Sequence, residues 1–286
     1  MNNFLFLGGD MRSVYAAKRL SEHYDCFLYG FTGELQAVPA DIPVLREITK
    51  FKSLVLPLPS SRDGIHINAP FHKEQIPISI IPQAVEASGI VYCGKVFIEI
   101  KKICEQNNLE LVDYFEREEL IIKNAVPTSE GCIEIIMREQ GSTIFGSQVL
   151  LTGFGRVSKV VAKHLTALGA EVTVTARKYS DLAWAEIEGC RTVHLSKLDD
   201  MLGKFDIVVN SVPAPLFSLE RVKKLKAGCL LVDLASKCCV EDIEAAEKEG
   251  VNVIHALSLP GKVAPQTAGY IVADTIMNIL EESANA

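Results

Sequence analysis

The sequence predicts an α/β protein of two doubly wound, Rossmann-like parallel-sheet domains with interdomain helices. Three observations predict it. Apolar runs of strand length alternate with segments of helical spacing in both halves of the chain, as when parallel strands are covered by helices on both faces. Near the middle, the glycine turn "TGFGRVS" stands between the apolar run "SQVLL" and a helix-period segment, the arrangement of a nucleotide-binding β-α-β unit. The length of 286 residues, with 48% hydrophobic and 23% charged content, suits about two domains with sizeable cores.

Taken in order, "NFLFLGG" (3–9) reads as a buried strand ending in a glycine turn, "SVYAAKRLSEHY" has helical spacing, and "DCFLYGF" is a second strand. The series continues through "SLVLPLP" (53–59), "ISIIPQAVEASGIVYCG", a helix near 96–107, "LELVDYF" (109–115) and "ELIIKNAVPT". After Pro127, "TSEGCIEIIMREQGST" carries Ile133, Ile136 and Met137 at i, i+3, i+4 spacing and reads as a connecting helix stopped by Gly141. The second half repeats the scheme with "SQVLLTG", "KVVAKHLTALG", "EVTVTA", "FDIVVNSVP", "GCLLVDLAS" and "VNVIHAL". Finally, "SLPGKVAPQTAGYIVADTIMNILEE" turns at proline and glycine and becomes a long amphipathic helix, expected to pack back on the first domain. The expected boundaries are an N-terminal substrate domain at 1–127, joined by the helix of about 264–286, a connecting helix at 128–143, and a nucleotide-binding domain at 144–263. A rigid two-domain body with a cleft follows.

Composition excludes several classes. A net charge of −7 without a basic run argues against nucleic-acid binding, since nothing stands ready to displace phosphate counterions. No apolar run approaches the roughly 20 residues of a membrane span. Met1 to Asp10 is a core-strand pattern without the basic start of a signal peptide, so a cytoplasmic protein is expected. The eight cysteines (Cys26, Cys93, Cys104, Cys132, Cys190, Cys229, Cys238, Cys239) are scattered, and no CxxC pair begins a metal site. Buried free thiols and no metal are expected.

Within the glycine turn, Gly153 permits the tight bend after the strand, and Gly155 removes a side chain where backbone must approach a pyrophosphate at a helix N-terminus. The third position of the pattern is Ser158, small enough for close helix–strand packing. Val157 belongs to the same turn. Arg156 is either a cation for the pyrophosphate or a solvated helix residue. At the end of the next strand, "TVTARKYS" (173–180) offers Thr175, Arg177, Lys178 and Ser180 and no carboxylate, which suits the 2′-phosphate of NADP rather than the free ribose hydroxyl of NAD. Asn210, Val212 and Pro213 end the fourth strand of this domain, where loops cover ribose and pyrophosphate. Asp233, Ala235 and Ser236 of "DLAS" complete the expected cofactor set. Near the start, "LGGDMRS" (7–13) lacks the GxGxxG spacing. Asp10 and Arg12 are expected at the carboxyl end of the first strand facing a cleft, the alternative being an Asp10 helix cap beside a surface arginine.

Together, "GGDMR", "NAVPTSEG", "TGFGRVSKVVAKHLTALGAEVTVTARK", "DLAS" and "LPGKVAPQTAGYI" resemble the A-subunit family of bacterial dipicolinate synthase over essentially the whole chain. The combination carries the specificity, because GFGR alone is shared with adenosylhomocysteinase-like and 2-hydroxyacid dehydrogenase-like folds. The resemblance implies an NADP-linked oxidoreductase in the mother cell of a sporulating bacterium, working with a flavoprotein-like B subunit. It would convert the dihydrodipicolinate intermediate of lysine biosynthesis into dipicolinate. The family usually continues "DLAS" with a proline and two glycines, whereas this chain reads "DLASKCCVED". Cys238 and Cys239 thus stand in a loop beside the nicotinamide, which puts its geometry in question and leaves a redox pair or a chance substitution open.

Oxidising a dihydropyridine dicarboxylate removes a hydride and a proton and leaves an aromatic ring, so positioning should outweigh acid–base power. Two carboxylates call for cations. The expected substrate set is Arg12, Arg62 in "PSSRDG", Lys237 and Lys262, with Ser60 and Ser61 as donors, although each by itself also fits a surface residue. His255 follows "VNVI" and is the imidazole best placed for proton transfer, or else a hydrogen-bonded histidine at a strand end. His255, Lys262 and Arg12 form the expected catalytic set, Lys262 and Arg12 clamping the substrate from opposite domains. Two other readings stay open: a different NAD(P)-dependent 2-hydroxyacid or amino-acid dehydrogenase, and a non-catalytic dinucleotide-binding subunit. The former wants an arginine in the loop that holds Lys237, and a glutamate partner for its histidine.

Overall fold

The computed structural model describes residues 3–31 and 42–285. They form two compact units, Met1–Asn124 with Ala264–Ala286, and Ala125–Val263. The first contains β1 (Asn3–Leu7), α1 (Met11–Leu20), β2 (Asp25–Tyr29), β3 (Phe51–Val55), α2 (Ile81–Ala84), β4 (Val85–Cys93), α3 (Ile98–Gln106) and β5 (Glu110–Asp113). Its five strands are parallel, in the order β2-β1-β3-β4-β5. Strand β1 shows why. Phe4 and Phe6 pack into one apolar cluster and Leu5 and Leu7 into another, so alternate side chains fill cores on both faces of the sheet.

A single helix, α4 (Glu118–Glu139), runs through Pro127. The expected connecting helix of 128–143 is therefore corrected: it begins ten residues earlier and ends before Gly141. An interior proline costs about 3 kcal/mol and argued for a boundary. The buried stripe Leu120, Ala125, Ser129, Cys132 and Ile136 continues through it and outweighs that cost.

The second unit follows with β6 (Gln148–Thr152), α5 (Arg156–Ala167), β7 (Glu171–Ala176), α6 (Tyr179–Ile187), β8 (Arg191–His194), β9 (Ile207–Asn210), α7 (Leu219–Val222), β10 (Leu230–Asp233), α8 (Ile243–Lys248), β11 (Asn252–His255) and α9 (Leu259–Val263). Its six strands are parallel, in the order β11-β10-β9-β6-β7-β8. Strand β8, "RTVH", has no apolar run, because an edge strand paired on one side needs none; periodicity passes over it. In both sheets the order reverses at one crevice, between β1 and β3 in the first and between β6 and β9 in the second. Ligands of open α/β sheets bind outside the carboxyl ends at such points.

All eight cysteines are free, and every one except Cys238 is buried. Burial pushes Cys104 up to about 11 and Cys26, Cys93, Cys132 and Cys229 up to about 12, which leaves these thiols protonated at neutral pH. Among the described residues no helix is long and apolar enough to cross a membrane, and no cluster of three or more His, Cys, Asp or Glu is placed to hold a metal ion.

The last helix, α10 (Pro265–Ala284), belongs to the first unit and lies against α1. Small residues make the approach close: a Cβ on Gly269 would sit 2.5 Å from the Arg12 carbonyl oxygen and 2.7 Å from Tyr15 Cβ. Arg117, whose Nη1 reaches Glu282 at 2.7 Å, clips the far end of α10 to the same unit. Replacing Gly269 with alanine is expected to destabilise the first unit by about 1–3 kcal/mol, the usual range for overpacking. The check is the denaturant midpoint, and one at or above that of the parent would show that the helices do not cross this tightly.

Candidate functional site

The glycine turn closes β6 against its neighbours. Gly153 has a φ of +80°, and a Cβ there would lie 2.8 Å from Val212 Cγ2, so both the left-handed backbone and the contact demand glycine. Its N–H donates to the Thr175 carbonyl at 2.8 Å, tying the turn to the end of β7. Gly155 differs. It is the N-cap of α5 without a side-chain cap, and nothing lies within 4 Å of where its Cβ would stand. The first N–H groups of a twelve-residue helix thus look onto open space, an arrangement that suits a pyrophosphate. Ser158 is buried, with its Oγ 2.7 Å from that of Ser211, so a hydrogen bond takes the place of the third glycine's bare contact. Arg156 is exposed on the first turn of α5, and Val157 is half-buried against the core.

Beside this turn a cavity of about 320 Å³ is lined by Gly153, Thr175, Arg177, Lys178, Asp181 and Val212 among others. The Thr175 Oγ1 is buried there without a hydrogen-bond partner. Leaving a buried hydroxyl unsatisfied costs about 1–3 kcal/mol, so the geometry calls for a ligand atom at this point. Arg177 and Lys178 are exposed at the rim. Ser180 is exposed on α6 and does not line the cavity, whereas its neighbour Asp181 does. Sequence reasoning missed Asp181, although its place in the first turn of a helix just after "ARK" was a legible signal. It also missed His194 with its strand. The His194 ring stacks on Tyr179 at 5.0 Å and its Nε2 lies 3.1 Å from the Arg177 carbonyl, which steadies the backbone carrying the cations. A nicotinamide dinucleotide fits this donor set: a helix N-terminus without a side-chain cap, an orphan hydroxyl and two cations, with the Asp181 carboxylate also in the cavity wall.

The floor of the site is polar and closed. Asp233, fully buried at the end of β10, accepts from Asn210 Nδ2 at 2.7 Å, Ala235 N at 3.0 Å and Cys239 N at 2.6 Å. Asn210 in turn accepts from Thr152 Oγ1 and from Val212 N, and its second amide hydrogen goes to the Val212 carbonyl. Asn210 and Asp233, both in the expected cofactor set, are hydrogen-bonded within the protein and hold the loops that carry Val212, exposed Pro213, buried Ala235 and exposed Ser236. The "SKCC" loop is anchored at its far end by the Cys239 N–H. Burial, reinforced by the Asp233 carboxylate, pushes the Cys239 thiol far up.

The remaining expected residues fall in different settings. His255 is half-buried at the end of β11, with Nε2 2.8 Å from the Ala235 carbonyl, a contact that needs the proton on Nε2. Lys237 and Lys262 are exposed. Arg12 is held within the first unit. Its side chain is 12% exposed, pairs with Asp10 at 2.8 Å and donates to the Leu58 carbonyl, while Asp10 caps α1 by accepting from Arg12 N. Ser60 and Ser61 are both buried, with Ser60 Oγ donating to the Lys95 carbonyl and Ser61 Oγ accepting from Gly64 N. Arg62 is exposed on a cavity of its own.

Residues 3–115 match the family of N-terminal domains of the dipicolinate synthase A subunit, and residues 136–258 match the shikimate/quinate 5-dehydrogenase family. The A subunit of dipicolinate synthase from Bacillus subtilis (strain 168) is 30% identical over 288 residues, covering 96% of this chain and 95% of the relative. The crystal structure of the corresponding A subunit from Bacillus halodurans superposes with a TM-score of 0.88 at 29% identity, over 98% of this chain and 97% of the other. A transhydrogenase from Sinorhizobium meliloti, at 14% identity and a TM-score of 0.70 over 98% and 94% of the two chains, shares the fold. Because the likeness runs through both units rather than the glycine-turn unit alone, the chain belongs to the family of dipicolinate synthase A subunits, on a dehydrogenase-like Rossmann fold that implies a nicotinamide dinucleotide cofactor.

Proposed function

We propose that this chain is the A subunit of an NADP-linked dipicolinate synthase, oxidising the dihydrodipicolinate intermediate to dipicolinate during sporulation. The observation that carries the reading is the alignment of 96% of the chain with one such subunit, glycine turn included. The choice of NADP rests on the end of β7. Thr175 Oγ1 lacks a partner where an NAD site would present a carboxylate, and Arg177 and Lys178 follow it.

A bound NADP⁺ would supply the hydride acceptor for oxidation of the dihydropyridine ring. The chain's own residues hold and orient. The α5 N-terminus at Gly155, with Arg156 beside it, would hold the pyrophosphate, and Arg177 and Lys178 would hold the 2′-phosphate. The Thr152–Asn210–Asp233 network keeps the loops after β9 and β10 in place, so that the nicotinamide end has a fixed wall. His255 takes the proton: donation from Nε2 to Ala235 leaves Nδ1 as the nitrogen with a free lone pair. Lys237 and Lys262 draw the dianionic substrate toward this unit. A flavoprotein-like B subunit completes the enzyme, and the mother-cell cytoplasm is its place.

Three outcomes are expected. Gly155→Val fills the open space over the α5 N-terminus and abolishes dinucleotide binding by calorimetry, while the melting curve stays near that of the parent because no neighbour is struck. Unchanged affinity would put the pyrophosphate elsewhere. Arg177→Ala weakens NADP more than NAD by about 1.5–3 kcal/mol, the worth of a hydrogen bond to a charged group, and equal losses for both would remove the basis for NADP. With NADP⁺ and the dihydrodipicolinate intermediate, the chain forms dipicolinate, followed by its absorbance, only when the B subunit is coexpressed. Product from the chain alone would overturn that dependence, and no product in either case would overturn the assigned reaction.

A further inference from the structure

The first unit holds a second concavity that the cofactor does not use. Residues 56–77 form a long connection from β3 to the short helical turn at Ile78, without helix or strand of its own. Connections longer than about 12–15 residues are uncommon in compact domains and are usually functional or disordered. This one is built. Ile67 N donates to the Ile76 carbonyl at 2.8 Å, Asn68 N to the Ser60 carbonyl at 2.9 Å, and the two buried serines lock its start.

Its course places it over the carboxyl end of the sheet. It leaves β3, receives Gly9 N, just past β1, on the Asn68 carbonyl at 2.8 Å, and stacks His72 on Tyr29, the last residue of β2, at 5.9 Å. The reversal in strand order falls between β1 and β3, so this is where an open α/β sheet takes its ligand.

The cavity of this connection measures about 260 Å³ and is lined by the connection's own residues, Arg62, Asp63, His66, Ala69, His72, Lys73 and Glu74 among them. That lies just below the ~300–1,000 Å³ of drug-sized sites, large enough for a single-ring acid and too small for a dinucleotide. Its charged residues differ in how they are paired. Asp63 is paired with His66 Nδ1 at 2.7 Å, and that bond together with the N–H groups of His66 and Ile65 holds its carboxyl far below the ordinary range. Among the described residues neither Arg62 nor Lys73 forms an ion pair. Arg62 and Lys73, two cations without an ion pair, thus stand around the concavity together with the carboxylates of Glu74 and of Asp63, the latter already taken up by His66 and backbone N–H groups. The imidazoles and Ala69 supply flat and apolar walls.

We propose that this cavity binds a small planar dicarboxylate, Arg62 taking one carboxylate in its planar fork and Lys73 the other. The identity of the ring acid rests on the function proposed above; the location of the site rests on the loop, the sheet end and the unpaired cations alone.

The test is a calorimetric titration of the full chain, without NADP, using pyridine-2,6-dicarboxylate as probe. Arg62→Ala and Lys73→Ala are each expected to weaken binding about tenfold or more, with NADP affinity unchanged and partial recovery in Arg62→Lys. Both side chains are exposed, and melting curves confirm that the variants fold. Pyridine-2-carboxylate and inorganic phosphate should bind the parent more weakly than the dicarboxylate. The proposal is overturned if the parent does not bind the dicarboxylate, if both alanine variants bind it as the parent does, or if phosphate binds equally well. Dicarboxylate binding that depends on both cations in a chain that yields no dipicolinate would sustain the site and remove the assigned reaction.

Discussion

A single buried carboxylate organises the nucleotide-binding unit. Asp233 has no exposure to solvent, and an ionised group so placed costs several kcal/mol unless its oxygens are satisfied. Two backbone N–H groups and the Asn210 amide satisfy them. The same bonds tie β10 to β9, Asn210 ties β9 to β6 through Thr152, and the loops leaving all three strands start from fixed positions. The open helix N-terminus at Gly155 and the cavity before Arg177 inherit their geometry from this brace. It also fixes the path of the loop that carries Cys238 and Cys239, since the Cys239 N–H is held by the carboxylate whatever side chain the residue carries.

The two units meet the same physical situation, a helix starting just past the carboxyl end of a parallel strand, in opposite ways. In the first, Asp10 accepts from Arg12 N and pairs with the Arg12 side chain, so the α1 N-terminus already holds an anion. In the second, the corresponding position is Gly155, which supplies neither cap nor bulk. An anionic cofactor therefore has an open helix end in one unit and a sealed one in the other. The carboxyl end of the first sheet is covered instead by the long connection after β3, whose Asn68 carbonyl accepts from Gly9 N.

Close approach of backbone recurs wherever the architecture is tightest. Gly153 lets β6 meet the loop after β9, and Gly269 lets α10 meet α1, in both cases because a Cβ would strike an atom that cannot move aside cheaply. The polar groups follow the same economy. Ser60, Ser61 and Ser158 are buried with their hydroxyls bonded inside the protein, which is why three residues of hydrophilic type contribute to scaffold rather than to solvent-facing chemistry.

Much of this was legible in the sequence. Apolar runs such as "NFLFL" and "VLLT" determine parallel strands because a side chain on each face must leave water, and the glycine spacing of "TGFGRVS" determines an open helix N-terminus because only that backbone makes the turn. Strand β8 and the path of α4 through Pro127 were not legible: an edge strand has little to bury, and local propensity cannot weigh a proline against a stripe packed by distant residues. Residue type alone likewise named Arg12, Asn210, Asp233, Ser60 and Ser61 as groups able to contact a ligand. Only the tertiary structure decided that they face inward, since whether a polar group meets a ligand or its own chain depends on which partners the fold brings within hydrogen-bonding distance. The orphan Thr175 hydroxyl is the converse case, a residue type common in strands, singled out by the fold when every neighbour that could have bonded to it was directed elsewhere.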